Sequence, residues 1–261
     1  MKSLIRFLLN RVPRPWLITC SYAFARVASV WFRGDRYTDP IDGKSYRRFL
    51  PYGYETETSR ENALAPGTLS LERHRLMWLY LLRDTDFFRK RLTVLSIAPE
   101  QCFLKRFRSL PNLDYITADL DSPIADVQAD VLDLPFGDNE FDVVFCNHVL
   151  EHVQDDTKAM SELYRVMKPG GWGICQVPMD LGLRVTYEDA SITDREARKR
   201  AFGQYDHVRR YGVDYFDRLA DAGFEVEQVK YCESLGEKDV ERYALSDDEI
   251  LPVVRKSSIR R

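Results

Sequence analysis

From Leu92 onward the hydrophobic positions fall into short apolar runs separated by amphipathic stretches. The runs at 92–97, 112–118, 127–131, 141–146, 171–177, 224–231 and near 250–255 have the length and composition of strands, while 100–109, 155–167, 193–201 and 213–222 carry helical spacing. Alternation of this kind predicts an α/β fold, a doubly wound and mostly parallel sheet covered on both faces. The chain before it reads differently. Residues 1–33 form two helical pieces broken at Pro13 and Pro15. Leu4, Ile5, Leu8 and Leu9 share one face, and Leu17, Ala23, Phe24, Val27, Val30 and Trp31 make a second. Residues 34–69 carry turn signals at Asp39-Pro40, Asp42-Gly43, Pro51, Gly53 and Pro66-Gly67 and read as irregular; a helix from Ser70 to about Arg83 follows.

Composition adds a charge asymmetry. The net charge of −3 carries no global signature of nucleic-acid binding. The first 36 residues, however, hold seven basic side chains against Asp35, a net +6, which leaves −9 on the remainder. A basic, amphipathic front end suggests peripheral contact with an anionic membrane surface through residues 1–33. The plainer expectation is a helix pair packed on the domain with its arginines in water. No run of 18 uncharged apolar residues exists, so no spanning helix is expected. No secretory leader is expected either, and the scattered cysteines Cys20, Cys102, Cys146, Cys175 and Cys232 read as reduced thiols of a cytoplasmic protein.

The chemistry concentrates between Asp119 and Gly171. In a doubly wound sheet, ligands sit beyond the carboxyl ends of the strands, so acidic residues at those ends are informative. Asp119 follows the apolar strand LDYITA and is placed to accept hydrogen bonds from ribose hydroxyls. Asp130 ends the next short strand and is a candidate acceptor for an exocyclic adenine amine, with Val131 beside it. Leu134, Pro135 and Phe136 make an apolar wall suited to an adenine face. Asn147 and His148, after FDVVFC, would lie beneath the methionine part of such a cofactor. Either carboxylate alone reads equally well as a turn residue or helix cap.

Residues 119–178, with LPF, FD, LEH and KPGG in order, resemble the class I methyltransferase superfamily, type 11 branch. Over about 40–255 the chain also resembles a Bacteroidetes-type bacterial group, through RRFLPYG (47–53), SLERHR (70–75), IAPE (97–100), FGQYDHVRRYG (202–212) and AGFEV (222–226). The resemblance implies a Rossmann-like methyltransferase sheet of seven strands with the last antiparallel, and S-adenosyl-L-methionine as cofactor. It implies three regions: a basic helical segment at 1–36, a degenerate zinc-ribbon-like segment at 37–69, and the methyltransferase domain at 70–261. Where the group carries a CxxC…CxxC ribbon, this chain has Asp39-Pro-Ile-Asp42 and Ala65-Pro-Gly-Thr68, so no metal is expected. The glycine-rich turn after the first strand is replaced by Ile97-Ala98-Pro99-Glu100; Ala98 keeps the turn small and Glu100 is a candidate for the cofactor's ammonium group. Asp119 and Asp130 are too close for a crossover helix, which should be reduced to a loop.

Residues 148–152 also spell HxxEH, a zinc-peptidase arrangement, but that motif needs a continuous helix and FDVVFC reads as a strand ending just before it. His207 is the candidate base toward the methyl acceptor, oriented by Tyr205 or Asp206, with Arg209 and Tyr205 as candidate substrate contacts and Asp180, Tyr187 and Asp189 as pocket-lid candidates. The plainer alternative is that His207 and Arg209 tie their loop to the body. The expected activity is methyl transfer to a small-molecule, sugar or lipid-linked acceptor; the alternative is a non-catalytic scaffold that keeps the fold.

Overall fold

A computed structural model describes residues 14–53 and 59–258. The chain folds as two compact units, one comprising residues up to 86 together with 231–249, the other 87–230 and the chain from 250 onward.

In the first unit, helix α1 (Arg14–Trp31) leads to hairpin β1 (Arg33–Asp39)–β2 (Lys44–Tyr46) and hairpin β3 (Leu50–Tyr52)–β4 (Arg60–Leu64), followed by α2 (Glu72–Asp84). The segment that reads as irregular is therefore two hairpins, whose alternating pattern is hidden by strands of three to seven residues. Their core is Tyr37, Tyr46, Phe49 and Ala65. The Asp39 carboxylate is buried and accepts from the Thr68 and Ser70 hydroxyls and from the Ile41 amide. Burial pushes its pKa up, against those donors and Arg75. Asp42 accepts from the Tyr46 hydroxyl at 2.9 Å. Arg75 of α2 is fully buried and donates to the carbonyls of Ala63, Ser70, Tyr243 and Ala244.

α1 packs through Ala25 and Ala28, while Trp16, Phe24, Val27, Val30 and Trp31 are exposed, the two tryptophans at 68% and 70%. The face expected to pack on the domain is thus the one turned to solvent, and small side chains make the contact. The apolar residues before Arg14 lie outside the described residues. Among the described residues no helix is long and apolar enough to cross a membrane.

The second unit is built on a seven-stranded sheet. It comprises β5 (Leu92–Ile97), β6 (Leu113–Asp119), β7 (Val127–Gln128), β8 (Phe141–Cys146), β9 (Met167–Ile174), β12 (Glu225–Val229) and β13 (Leu251–Arg255), in the order β12-β13-β9-β8-β5-β6-β7. β5 pairs in parallel with both β6 and β8, and β13 runs antiparallel to its two neighbours. This is the doubly wound, seven-stranded sheet with its last strand antiparallel that the resemblance implies. Helices α3 (Gln101–Arg108), α4 (Asp156–Val166), α5 (Arg195–Phe202) and α6 (Tyr215–Asp221) fall where the spacing predicts them. The stretch between Asp119 and β7 is loop, since so short a connection cannot form a crossover helix. A short β10 (Tyr187–Glu188) and β11 (Arg209–Arg210) pair outside the main sheet.

The KPGG turn lies at the amino end of β9, opposite the ligand end of the sheet. Gly170 takes φ +80°, and a Cβ on Gly171 would come within 2.8 Å of the Lys168 carbonyl, so the bulge requires both glycines. Lys168 pairs with Asp142 at 2.9 Å, which also accepts from the Thr93 amide. These motif residues shape the sheet rather than hold a ligand.

Two predictions follow from buried carboxylates. Arg165 donates to Glu162 and to the carbonyls of Leu134 and Phe136, while Glu162 accepts from the Leu134 amide; the pair thereby pins the 134–138 loop to α4. Arg165 draws the Glu162 carboxyl down to about 2 from 4.5, against burial. A depressed folded-state pKa stabilises above the ordinary value, and the contribution is lost as pH falls toward 2. Glu162→Gln should therefore lower the urea midpoint at pH 7 and flatten its decline below pH 4.5; parallel pH curves would refute the assignment. Asp39→Ala strands buried hydroxyls and should cost about 1–3 kcal/mol by urea denaturation. Thr68→Val in that background should recover part of the loss, and strict additivity would count against the coupling.

Candidate functional site

The crevice outside β5 and β8 is the point where the strand order reverses, since β5 is followed by β6 on one side and by β8 on the other. The residues expected to hold a cofactor come together around it. Ala98 leaves β5 with φ +48° and its amide donates to the Ala118 carbonyl at 2.8 Å. The backbone thus keeps the left-handed turn that glycine would adopt freely, at about 1–2 kcal/mol of strain for an alanine. Glu100 caps the start of α3, and its Oε2 accepts from Asn147 Nδ2 at 3.3 Å. Asn147 Oδ1 accepts from the Gln176 amide at 3.1 Å. Glu100 and Asn147 therefore meet across the switch point, which places a carboxylate in the crevice.

One strand away, Asp119 Oδ1 accepts from the amides of Asp121 and Ser122 at 2.9 and 2.6 Å. These bonds fix the carboxylate plane, and Oδ2 accepts no hydrogen bond among the described residues, so it keeps its acceptor capacity. Asp130 is exposed and its Oδ1 accepts from the Leu132 amide, which orients it in a turn. Val131 and Leu134 are packed in the core, so their side chains underlie the expected wall instead of lining it. Leu132 and Phe136 are the partly buried apolar groups of that loop, with Phe136 edge-on to Phe141 at 5.1 Å. An apolar run does not disclose which members face inward when its loop follows neither helical nor strand periodicity.

The segment after Asn147 carries a second cluster. His148 takes φ +55° and its amide donates to the Gln176 carbonyl. Leu150–His152 form one 3₁₀ turn, not a continuous helix. Glu151 is 2% exposed; its Oε1 lies 3.2 Å from His148 Nδ1 and its Oε2 is buried without a hydrogen bond. His207, 8% exposed, stands edge-on to His152 with ring centroids 4.8 Å apart. Burial lowers the His207 pKa, against the charge of Glu151. The Asp206 carboxylate lies 3.7 Å from His152 Nδ1 and accepts from Gln204, while His207 Nδ1 contacts the Phe202 carbonyl. Backbone, not Asp206 or Tyr205, thus orients His207.

One expected substrate contact, Arg209, is corrected. Arg209 is 3% exposed, donates to the carbonyls of Leu150, Val153 and Gln154, and pairs with Glu188 at 2.9 Å. Its guanidinium is committed to holding the 150–154 turn and is closed to a substrate anion. Tyr205 is exposed under the Arg195 guanidinium, 4.1 Å from its ring centroid. Of the lid candidates, Asp180 pairs with Arg210, Tyr187 packs on Phe202, and Asp189 accepts from Ser191. Glu151 and His152 were legible only as parts of HxxEH; their link to His207 is long-range and left no local signal.

Residues 79–175 match the family model described as a methyltransferase domain. A demethylmenaquinone methyltransferase of Staphylococcus carnosus is 49% identical over 49 residues, 19% of this chain and 20% of that one. A 2-phytyl-1,4-naphtoquinone methyltransferase of Nostoc punctiforme is 51% identical over 47 residues, 18% of this chain and 20% of that protein. The matched stretch thus spans about a fifth of the length of these curated relatives. A solved S-adenosylmethionine dependent methyltransferase from Mesorhizobium loti aligns with a TM-score of 0.45 at 15% identity, covering 64% of this chain and 92% of that one. Over residues 79–175, which include the strands β5 to β9 of this sheet, the chain therefore carries a stretch that matches the methyltransferase domain family.

Proposed function

We propose that the protein is a methyltransferase that transfers the methyl group of S-adenosylmethionine to a small, quinone-type acceptor. The observation that carries this reading is the convergence of Ala98, Glu100, Asp119 and Asn147 around the β5/β8 switch point. The carboxylate of Asp119 takes the ribose, Glu100 the ammonium group, and Leu132 the adenine face. Methyl transfer is an in-line displacement at a sulfonium carbon, so the chief work of these groups is positioning. The acceptor class rests on the two relatives, a demethylmenaquinone methyltransferase and a 2-phytyl-1,4-naphtoquinone methyltransferase. His207 is assigned to the acceptor side, together with Glu151 and His152.

An apolar acceptor suits the exposed stripe of α1, for which we propose peripheral docking on an anionic membrane. Trp16 and Trp31 at its two ends, with Arg26, Arg33 and Arg36 close by in the chain, have the chemistry of an interfacial helix. The free cysteines fit a cytoplasmic setting. The hairpins of residues 37–64 support kinship with the bacterial group that carries a zinc ribbon there, hydrogen bonds from Thr68 and Ser70 to Asp39 standing in for the metal.

Calorimetry with S-adenosylhomocysteine tests the enzyme reading. Binding is expected, and Asp119→Ala should weaken it about tenfold or more through loss of charged hydrogen bonds. No binding below roughly 1 mM would instead favour a non-catalytic scaffold. For α1, the full chain should sediment with vesicles of phosphatidylglycerol in phosphatidylcholine. Trp16→Ser and Trp31→Ser should each cost about 1 kcal/mol of apolar burial, roughly fivefold in binding; unchanged sedimentation would end the docking proposal.

A further inference from the structure

We propose that Glu151, His152 and His207 form a site for one divalent first-row metal cation. One ligand atom from each of the three lies within 4.8 Å of the others. Donors around a zinc-sized ion at about 2.0–2.1 Å stand roughly 3.3 Å apart. His152, whose side chain is 33% exposed, has room to shift toward the two buried donors and close that gap.

Three features mark a ligand set and not a chance cluster. His207 Nδ1 lies 3.3 Å from the Phe202 carbonyl and His152 Nδ1 lies 3.3 Å from the Asp206 carbonyl. Metal-binding imidazoles are held in this way: the proton on one ring nitrogen is donated to a backbone carbonyl, and the lone pair of the other is left for the ion. Glu151 supplies the anionic donor. One of its oxygens is taken by His148, and the other is buried with no hydrogen bond, an arrangement that is costly unless a cation or donor completes it. Two imidazoles and one carboxylate suit zinc, cobalt, manganese or iron better than magnesium or calcium, which prefer all-oxygen shells.

The site also explains why HxxEH is present without a metalloprotease helix. Leu150–His152 form a 3₁₀ turn, so His148 and His152 do not pair as ligands; the second imidazole comes instead from His207, on the loop after α5. Arg209, two residues on, clamps the carbonyls of the same turn and holds the two halves of the site together. Three protein donors leave coordination positions open for water or for an acceptor oxygen, which the ion would polarise. Cation binding does not depend on methyl transfer, and its test does not read activity.

Cobalt(II) titrated into the tag-free full chain should produce visible d–d absorption that saturates at one ion per chain, with zinc competing it away. Glu151→Gln keeps the shape of the side chain and removes the anionic donor; His152→Ala removes a partly exposed ring. Each should weaken cobalt binding by about tenfold or more, at least the loss seen when a ligand's supporting partner is removed. Circular dichroism and thermal midpoints confirm that both variants are folded. Absence of cobalt bands up to roughly 1 mM, or bands unchanged in both folded variants, would overturn the site.

Discussion

A carbonyl buried away from water must find a donor, and in this chain loops are held in place because arginines supply it. Arg75 reaches four backbone carbonyls in the first unit. In the second, Arg165 holds the loop before β8 and Arg209 holds the turn after it. The fork of the guanidinium lets one side chain satisfy several acceptors that no strand or helix serves. The 134–138 loop, which leads into the amino end of β8, and the Glu151 turn, beyond its carboxyl end, inherit their positions from these contacts. Irregular backbone at both ends of the strand is thus fixed by cations on neighbouring segments.

That constraint explains much of what was and was not legible. The strands and helices from Leu92 onward could be read because their apolar period is local, and the short path from Asp119 to Asp130 forced a loop. Asp119, Glu100 and Asn147 were placed by a topological rule about strand ends, which needs only the order of elements. Arg209 was misread because an arginine beside a candidate base has the same local signature whether it binds a substrate or buried carbonyls. The hairpins of residues 33–64 were missed because strands of three residues carry no measurable alternation. KPGG could be read as part of the ordered motif set, but that its glycines serve a bulge at the amino end of β9 could not.

Ala98 shows how a site can outlast its signature. The glycine that would relieve a left-handed turn is absent, yet the turn is kept by the Ala118 carbonyl on one side and by buried Pro99 on the other. Backbone strain of this kind persists only where neighbours over-determine it. A motif written as glycines describes the easiest residue for a conformation, whereas the ligand meets the conformation itself.

The two units are interleaved along the chain, and β13 enters the sheet between β9 and β12 only after the first unit has received residues 231–249. During vectorial synthesis the ribosome therefore releases β9 long before the strand that covers its edge. For that interval an apolar edge is open to pairing with another nascent chain, a hazard typical of strand pairings between residues far apart in sequence. Protection at this stage falls to folding catalysts or to speed, so defects in residues 251–255 should appear as poor yield of soluble protein before they appear as lost activity.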